Sequence, residues 1–167
     1  MEIERYGDQG VFWMLGSIKG AEPRDLSSLA IPSGRYRITR EINNAVCRLS
    51  RLPETSGPVA NPLLFSVASL AGLGISIEDL CKLCDFDYRD APMIGGCRVV
   101  FSRPLKVEET YEVQAELLSL ERKIGKRTGV MDLLKFNVIL VETGGEVACT
   151  ITYTWVLPRG KSNADGR

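Results

Sequence analysis

A chain of 167 residues in which 44% of the side chains are hydrophobic is long enough for one well-packed domain and short for two. Its 21 Lys and Arg balance 21 Asp and Glu, so no net field draws it towards nucleic acid or an anionic membrane. Histidine is absent altogether, which removes Ser-His-Asp and Cys-His nucleophilic sites and the zinc sets that mix His with Cys.

Five cysteines, Cys47, Cys81, Cys84, Cys97 and Cys149, are scattered through apolar stretches with no signal-like segment ahead of them, a pattern that predicts a reducing, cytoplasmic setting. Cys81 and Cys84 form one Cys-x-x-Cys without a second pair to complete a zinc site, so they are expected to be small buried hydrophobes, and neither metal nor cofactor is expected. No apolar run approaches the roughly twenty residues of a bilayer span, so a soluble protein with no membrane partner is expected.

Along the chain, residues 1–31 read as an N-terminal extension. Val11 to Leu15 form an apolar stretch between Gly10 and Gly16, a short strand or helical turn, and Phe12 with Trp13 offers an anchor onto the domain or a partner. From Gly34, Arg35 to Thr39 alternate polar and apolar as a half-buried strand does. Thr39 is then placed to cap a helix with Ile42, Val46 and Leu49 on its apolar face and Glu41 in its first turn. Pro53 ends it, and Pro53 to Pro58 read as loop.

Pro62 opens the most hydrophobic segment, Leu63 to Ala71, which predicts a helix buried nearly all round and stopped at Gly72 and Gly74. A shorter amphipathic turn, Ser76 to Leu83, precedes a loop around Asp85 to Pro92. Four strand candidates follow, Cys97 to Ser102, Tyr111 to Leu120, Val130 to Val141 and Glu146 to Leu157. The last has a clear period of two rich in Thr, Tyr and Trp. Thr143-Gly144-Gly145 marks a tight hairpin, and the basic segment Arg122 to Arg127 reads as a loop. An α+β domain over residues 32–159 results, a curved antiparallel sheet around one central buried helix, with residues 160–167 a polar, disordered tail.

Phe101-Ser102-Arg103-Pro104-Leu105-Lys106-Val107-Glu108-Glu109-Thr110 resembles the Phe-x-Arg-Pro-(apolar)-x-x-Gly-(acid)-Thr signature of MaoC-like hot-dog domains, with Glu108 where that family has Gly. Lys123, Gly125, Lys126, Thr128 and Gly129 before a long apolar strand, then Gly145-Glu146-Val147 and a closing Thr/Trp strand to Pro158-Arg159, continue the likeness over Arg35 to Arg159. The chain is most similar to the N-terminal, dehydratase-like half of that group. The resemblance implies a hot-dog fold and an acyl thioester of coenzyme A or of acyl carrier protein as ligand, in fatty acid or polyketide metabolism. It also implies lyase chemistry at the seam of a homo- or heterodimer of hot-dog proteins.

Active (R)-specific enoyl thioester hydratases of the family carry Gly-Asp-x-Asn-Pro-x-His before the central helix. Pro58-Val59-Ala60-Asn61-Pro62-Leu63-Leu64 is the matching stretch here. Asn61 and Pro62 fit, but Val59 stands at the Asp position and Leu64 at the His position, and neither transfers a proton. The resemblance therefore implies a non-catalytic or half-site subunit of a hydratase or 3-hydroxyacyl thioester dehydratase, whose partner supplies Asp and His. Asn61, Leu63, Leu64, Phe65, Gly95 and Gly96 are the candidate substrate contacts, with Val67 beside them, although core packing and a glycine turn account for the same residues. Arg122, Lys123, Lys126 and Arg127 are candidates for steering a phosphate-bearing or acidic carrier; a solvated turn explains them equally. The alternatives are a non-catalytic acyl-binding module and a carboxylate-dependent hot-dog thioesterase using Glu78, Asp79, Asp85 or Asp87.

Overall fold

The computed structural model describes residues 23–26, 29–54, 56–125 and 129–159 and the backbone of Gly16–Ser17. The readings of Val11 to Leu15, of Phe12 and Trp13, and of the tail at 160–167 lie outside the described residues. In chain order the elements are β1 (Gly16–Ser17), β2 (Gly34–Ile38), α1 (Arg40–Leu49), α2 (Leu64–Ala71), α3 (Ile77–Leu83), a 3-10 turn (Tyr88–Asp90), β3 (Met93–Phe101), β4 (Glu109–Gly125), β5 (Gly129–Val141) and β6 (Val147–Pro158).

All the strands form one antiparallel sheet. β4, β5 and β6 are neighbours in that order; β3 pairs with β6 at one edge, and β1 and β2 pair with β4 at the other. The expected meander thus holds for β4 to β6. β3 instead crosses the domain, because residues 102–108 run from the β6 edge to the β4 edge. This crossing, the Phe-x-Arg-Pro stretch, is hydrogen bonded along its way: Ser102 N–H to Ala148 O, Val107 N–H to Pro58 O and Glu108 N–H to Ile38 O.

Alternation sets the core. On β6, Cys149, Ile151, Tyr153, Trp155 and Leu157 point inward and are buried, as are Leu134, Phe136, Val138 and Leu140 on β5. Phe136 stacks on Tyr153 with ring centres 5.3 Å apart and meets Trp155 edge-on at 5.4 Å. α2 lies across this inner face in contact with β2, β4, β5 and β6, so the sheet wraps a central helix. Its Leu64 and Ala68 are fully buried, and Ser69 shares a buried hydrogen bond of 2.8 Å with the Tyr153 hydroxyl. β2 fits against the end of α2 only because residue 34 is glycine: a β-carbon there would stand 2.1 Å from Gly72 O.

Several expectations are corrected. α2 is not buried all round: Leu63 is 52% and Val67 38% exposed, because the sheet covers only one side of it. On α1, Thr39 Oγ1 does accept the Ile42 N–H, and Ile42 and Val46 pack on the core. Leu49, however, is 85% exposed, since the buried face at that end of the helix runs through Asn43 and Cys47. β3 starts at Met93, so Gly95 and Gly96 are strand residues at a bulge. β4 runs on through Arg122 to Gly125 where a basic loop was expected. The Thr143-Gly144-Gly145 hairpin is present, closed by Gly145 N–H to Glu142 O at 2.8 Å with Gly145 at φ +85°.

Candidate functional site

The segment between α1 and α2 is held from both sides. Ala60 N–H donates to Leu105 O at 2.7 Å, and Val59 forms an isolated bridge with Lys106, which fastens the loop to the crossing segment. Asn61 fastens it to α1. Its N–H donates to Asn43 Oδ1 at 2.7 Å, its Nδ2 to Ser50 Oγ at 3.2 Å and more weakly to Cys47 Sγ at 3.6 Å, and its Oδ1 accepts Leu63 N–H at 3.0 Å. Every polar group of that side chain is therefore used in shaping the loop.

Between this loop and the end of α1 opens a cavity of about 490 Å3, with Cys47, Leu52 and Pro53 on one side and residues 57 to 62 on the other. Among the described residues no carboxylate, lysine or arginine lines it. Val59, 51% exposed, is part of its wall, whereas Leu64 is fully buried among the core residues. The two positions that match the hydratase Asp and His thus face different surroundings here: one the cavity, the other the interior.

Along the opposite side of α2 a second apolar surface continues onto β3. Phe65, partly buried, meets Phe101 edge-on with ring centres 6.1 Å apart; Val67 on α2 and, spread along β3, Ile94, Val100 and Phe101 are exposed. β3 pairs on one side only, so its outer edge presents free backbone groups. Gly95 and Gly96 lie on that edge and do not line the cavity; a β-carbon on Gly95 would come within 2.8 Å of Val156 Cγ2, so that glycine serves strand packing. The candidate substrate contacts therefore divide: Asn61 stands at the cavity, Leu63 is exposed at the start of α2, Phe65 packs against Phe101, Leu64 lies in the core, and the two glycines are at the sheet edge.

Two of the candidate carrier-steering cations, Arg122 and Lys123, are paired with carboxylates. Arg122 donates twice to the buried carboxylate of Asp132, at 2.8 and 3.1 Å, and Lys123 pairs with Glu121 at 2.9 Å. Lys126 and Arg127 lie outside the described residues. Arg159 completes the arrangement: its Nε donates to Asp132 Oδ2 at 2.8 Å, its two terminal nitrogens to the backbone oxygens of Asp85 and Cys84, and its guanidinium lies 5.7 Å from the Phe86 ring centre. Burial alone would push the Asp132 carboxyl up, but hydrogen bonds from Arg122 and Arg159 outweigh it and leave it below the usual aspartate value. Sequence reasoning missed this cluster; its only signal is an acid at an inward position of an apolar strand. The buried Asn43 that positions Asn61 was missed as well, and a polar residue amid the apolar positions of α1 was its signal.

Each carboxylate considered for hydrolysis has a surface cation beside it. Hydrogen bonds from Ser76 and then Lys82 hold Asp79 below its ordinary value. Arg89 brings Asp87 down to about 2. Glu78 pairs with Lys82 at 2.9 Å, and Asp85 lies 4.0 Å from Arg24. Cys81 and Cys84 are both buried, and burial pushes the Cys84 thiol up to about 12, far from a reactive thiolate.

No family model and no curated protein sequence matches this chain. Solved structures do match in shape. A monoamine oxidase regulatory protein from Archaeoglobus fulgius is 16% identical, with a TM-score of 0.59 over 83% of this chain and 97% of that one. A MaoC-like dehydratase from Rhodospirillum rubrum is 12% identical, with a TM-score of 0.53 over 80% and 94%. The HadBC (3R-hydroxyacyl-ACP dehydratase) complex from Mycobacterium tuberculosis is 16% identical, with a TM-score of 0.51 over 77% and 97%. The chain has the hot-dog fold. Among the described residues no helix is long and apolar enough to cross a membrane.

Proposed function

We propose that this chain is the tail-holding subunit of an (R)-specific enoyl thioester hydratase or 3-hydroxyacyl thioester dehydratase, whose catalytic Asp and His come from a partner hot-dog subunit. The observation that carries the reading is the cavity at the Asn-Pro loop. It stands where the resemblance puts the reacting end of the substrate, yet Val59 is in its wall and its one polar side chain, Asn61, is already committed to the loop. Hydration needs a group to take a proton from water and another to deliver one to carbon; this cavity suits a chain of methylenes, each of which gains about 0.8 kcal/mol on burial.

The apolar face formed by α2 and β3 supports a partner. An apolar edge strand is prone to indiscriminate pairing unless a neighbour covers it, and the structurally similar HadBC protein is a complex. On this reading Leu63, Phe65 and Val67 line the seam. A thioesterase role has less support, since hydrogen bonds from Ser76 and Lys82 hold Asp79 low, and those from Arg89 hold Asp87 low, where a general base needs raising by burial. The five unpaired thiols suit a reducing compartment.

The test is hydration of crotonyl-coenzyme A, followed by loss of the enoyl absorbance, with the purified chain alone and after co-expression with the hot-dog protein encoded nearest to it. Activity is expected only in the mixture. Turnover by the chain alone would overturn the subunit reading.

A further inference from the structure

In a chain whose charges cancel, the stretch from Arg35 to Arg51 holds five arginines and a single acid, Glu41. Arg37 is spent on Glu108 at 2.8 Å, and Arg40 reaches Gly57 O at 3.3 Å. Of the remaining three, Arg35 is on β2 and the two at the far end of α1 stand outward. Arg48, with 63% of its side chain exposed, pairs with Glu54 across the surface, and Arg51 is exposed beyond it.

The backbone at Arg51 is unusual. Leu52 N–H reaches back to Cys47 O at 2.9 Å and Arg51 N–H to Arg48 O at 3.2 Å, with Arg51 at φ +56°. Glycine takes that helix-ending conformation most easily, and an arginine there is a local cost. Beside it are two leucines in water, Leu49 almost wholly exposed and Leu52 about half. Leu52 also forms part of the cavity wall.

Arginines around exposed leucines at the mouth of an apolar cavity match a partner of matching layout: acidic, with apolar surface between its charges, and carrying an apolar chain. A coenzyme A molecule would supply the negative charge and the chain, but it has no surface to cover Leu49, which lies outside the cavity. A second hot-dog protomer is accounted for by α2 and β3. We propose that the C-terminal end of α1, formed by Arg48, Leu49, Arg51 and Leu52, is the docking surface for an acidic acyl carrier protein whose thioester-bearing arm enters the cavity behind Leu52. This rests on the acyl-thioester reading above and moves the carrier's approach away from residues 122–127.

The experiment measures binding of an octanoyl-loaded acyl carrier protein and of octanoyl-coenzyme A to the full chain. The variants are Arg48→Glu with Arg51→Glu, Leu49→Ser and Arg51→Gly. Charge reversal is expected to weaken carrier binding about tenfold, with a steeper salt dependence in the wild type, and to leave octanoyl-coenzyme A unchanged. Leu49→Ser acts in the same direction. Arg51→Gly separates binding from folding: it should raise the melting temperature by easing the backbone while lowering carrier affinity about threefold. Equal loss of both ligands in the charge-reversed protein, or carrier affinity unchanged in all variants, would overturn the dock. Wild-type binding of octanoyl-coenzyme A without the carrier protein removes the dock and leaves the acyl-thioester reading standing. Binding of neither ligand removes that reading, and the dock with it.

Discussion

At position 108 the backbone has φ +64°, the left-handed conformation in which glycine is at ease and a β-carbon is crowded. The signature that this stretch resembles has glycine there, so the torsion is kept while the residue differs. Glu108 repays the strain through its carboxylate, which accepts Arg40 N–H at the start of α1 and Arg37 Nη2, each at 2.8 Å. The backbone hydrogen bond from Arg40, and then that from Arg37, hold its pKa below the ordinary value of 4.5. Glu108→Ala keeps the strained torsion and loses both contacts, whereas Glu108→Gly loses the contacts but relieves the strain. The melting temperatures at pH 7 are expected to fall in the order wild type, Gly variant, Ala variant; an Ala variant as stable as the Gly variant would remove strain from the account. A carboxylate whose folded pKa is depressed contributes above its unfolded pKa and loses that contribution as pH falls through the folded one. The gap between wild type and Ala variant should therefore be full at pH 7 and close below pH 4.5.

Among the elements, Asp132 joins more of the fold than any other polar group described. It sits on β5 and takes Arg122 from β4 and Arg159 from beyond β6, and Arg159 in turn holds the backbone oxygens that follow α3. Asp132→Asn leaves two arginines, only about a quarter exposed or less, without their counter-charge, and should cost about 2 to 4 kcal/mol in urea unfolding at neutral pH. Because the folded carboxyl lies below 3.8, this stabilisation is present above that value and fades as pH falls through the folded pKa, so the two proteins should converge in strong acid. The same cluster explains why part of the sheet was illegible in the sequence. Arg122 and Lys123 read as a solvated turn because nothing local shows that an inward acid lies opposite on β5, ten residues later, whereas β6 was plain because its alternation is complete within one segment. Thr39 announced α1 correctly, since a cap is a local matter. Leu49 was misplaced because helical spacing continues to the last turn while the core beneath that turn does not. Gly95-Gly96 hid the start of β3, for a glycine pair signals a turn as readily as a bulge.

For the whole molecule, the wrapping of the sheet around α2 decides which chemistry its loop can hold. The Asn-Pro pair was legible as the start of the central helix, and its neighbours were legible as unable to transfer protons, but the sequence does not say in which direction each side chain points. Val59 opens on the cavity while Leu64, the first residue of α2, is fully buried in the core. An imidazole at residue 64 would lose the apolar packing of the leucine and bury a polar ring without a partner, at a cost of about 3 kcal/mol. Val59→Asp at the half-exposed wall should cost much less. The double variant Val59→Asp with Leu64→His is therefore expected to melt well below wild type and still to fail at crotonyl-coenzyme A hydration, while Val59→Asp alone melts close to wild type. Were the double variant to fold normally and hydrate the substrate unaided, the interior and the cavity would have to communicate through a movement of α2, and two substitutions would be all that separates this chain from a self-sufficient hydratase.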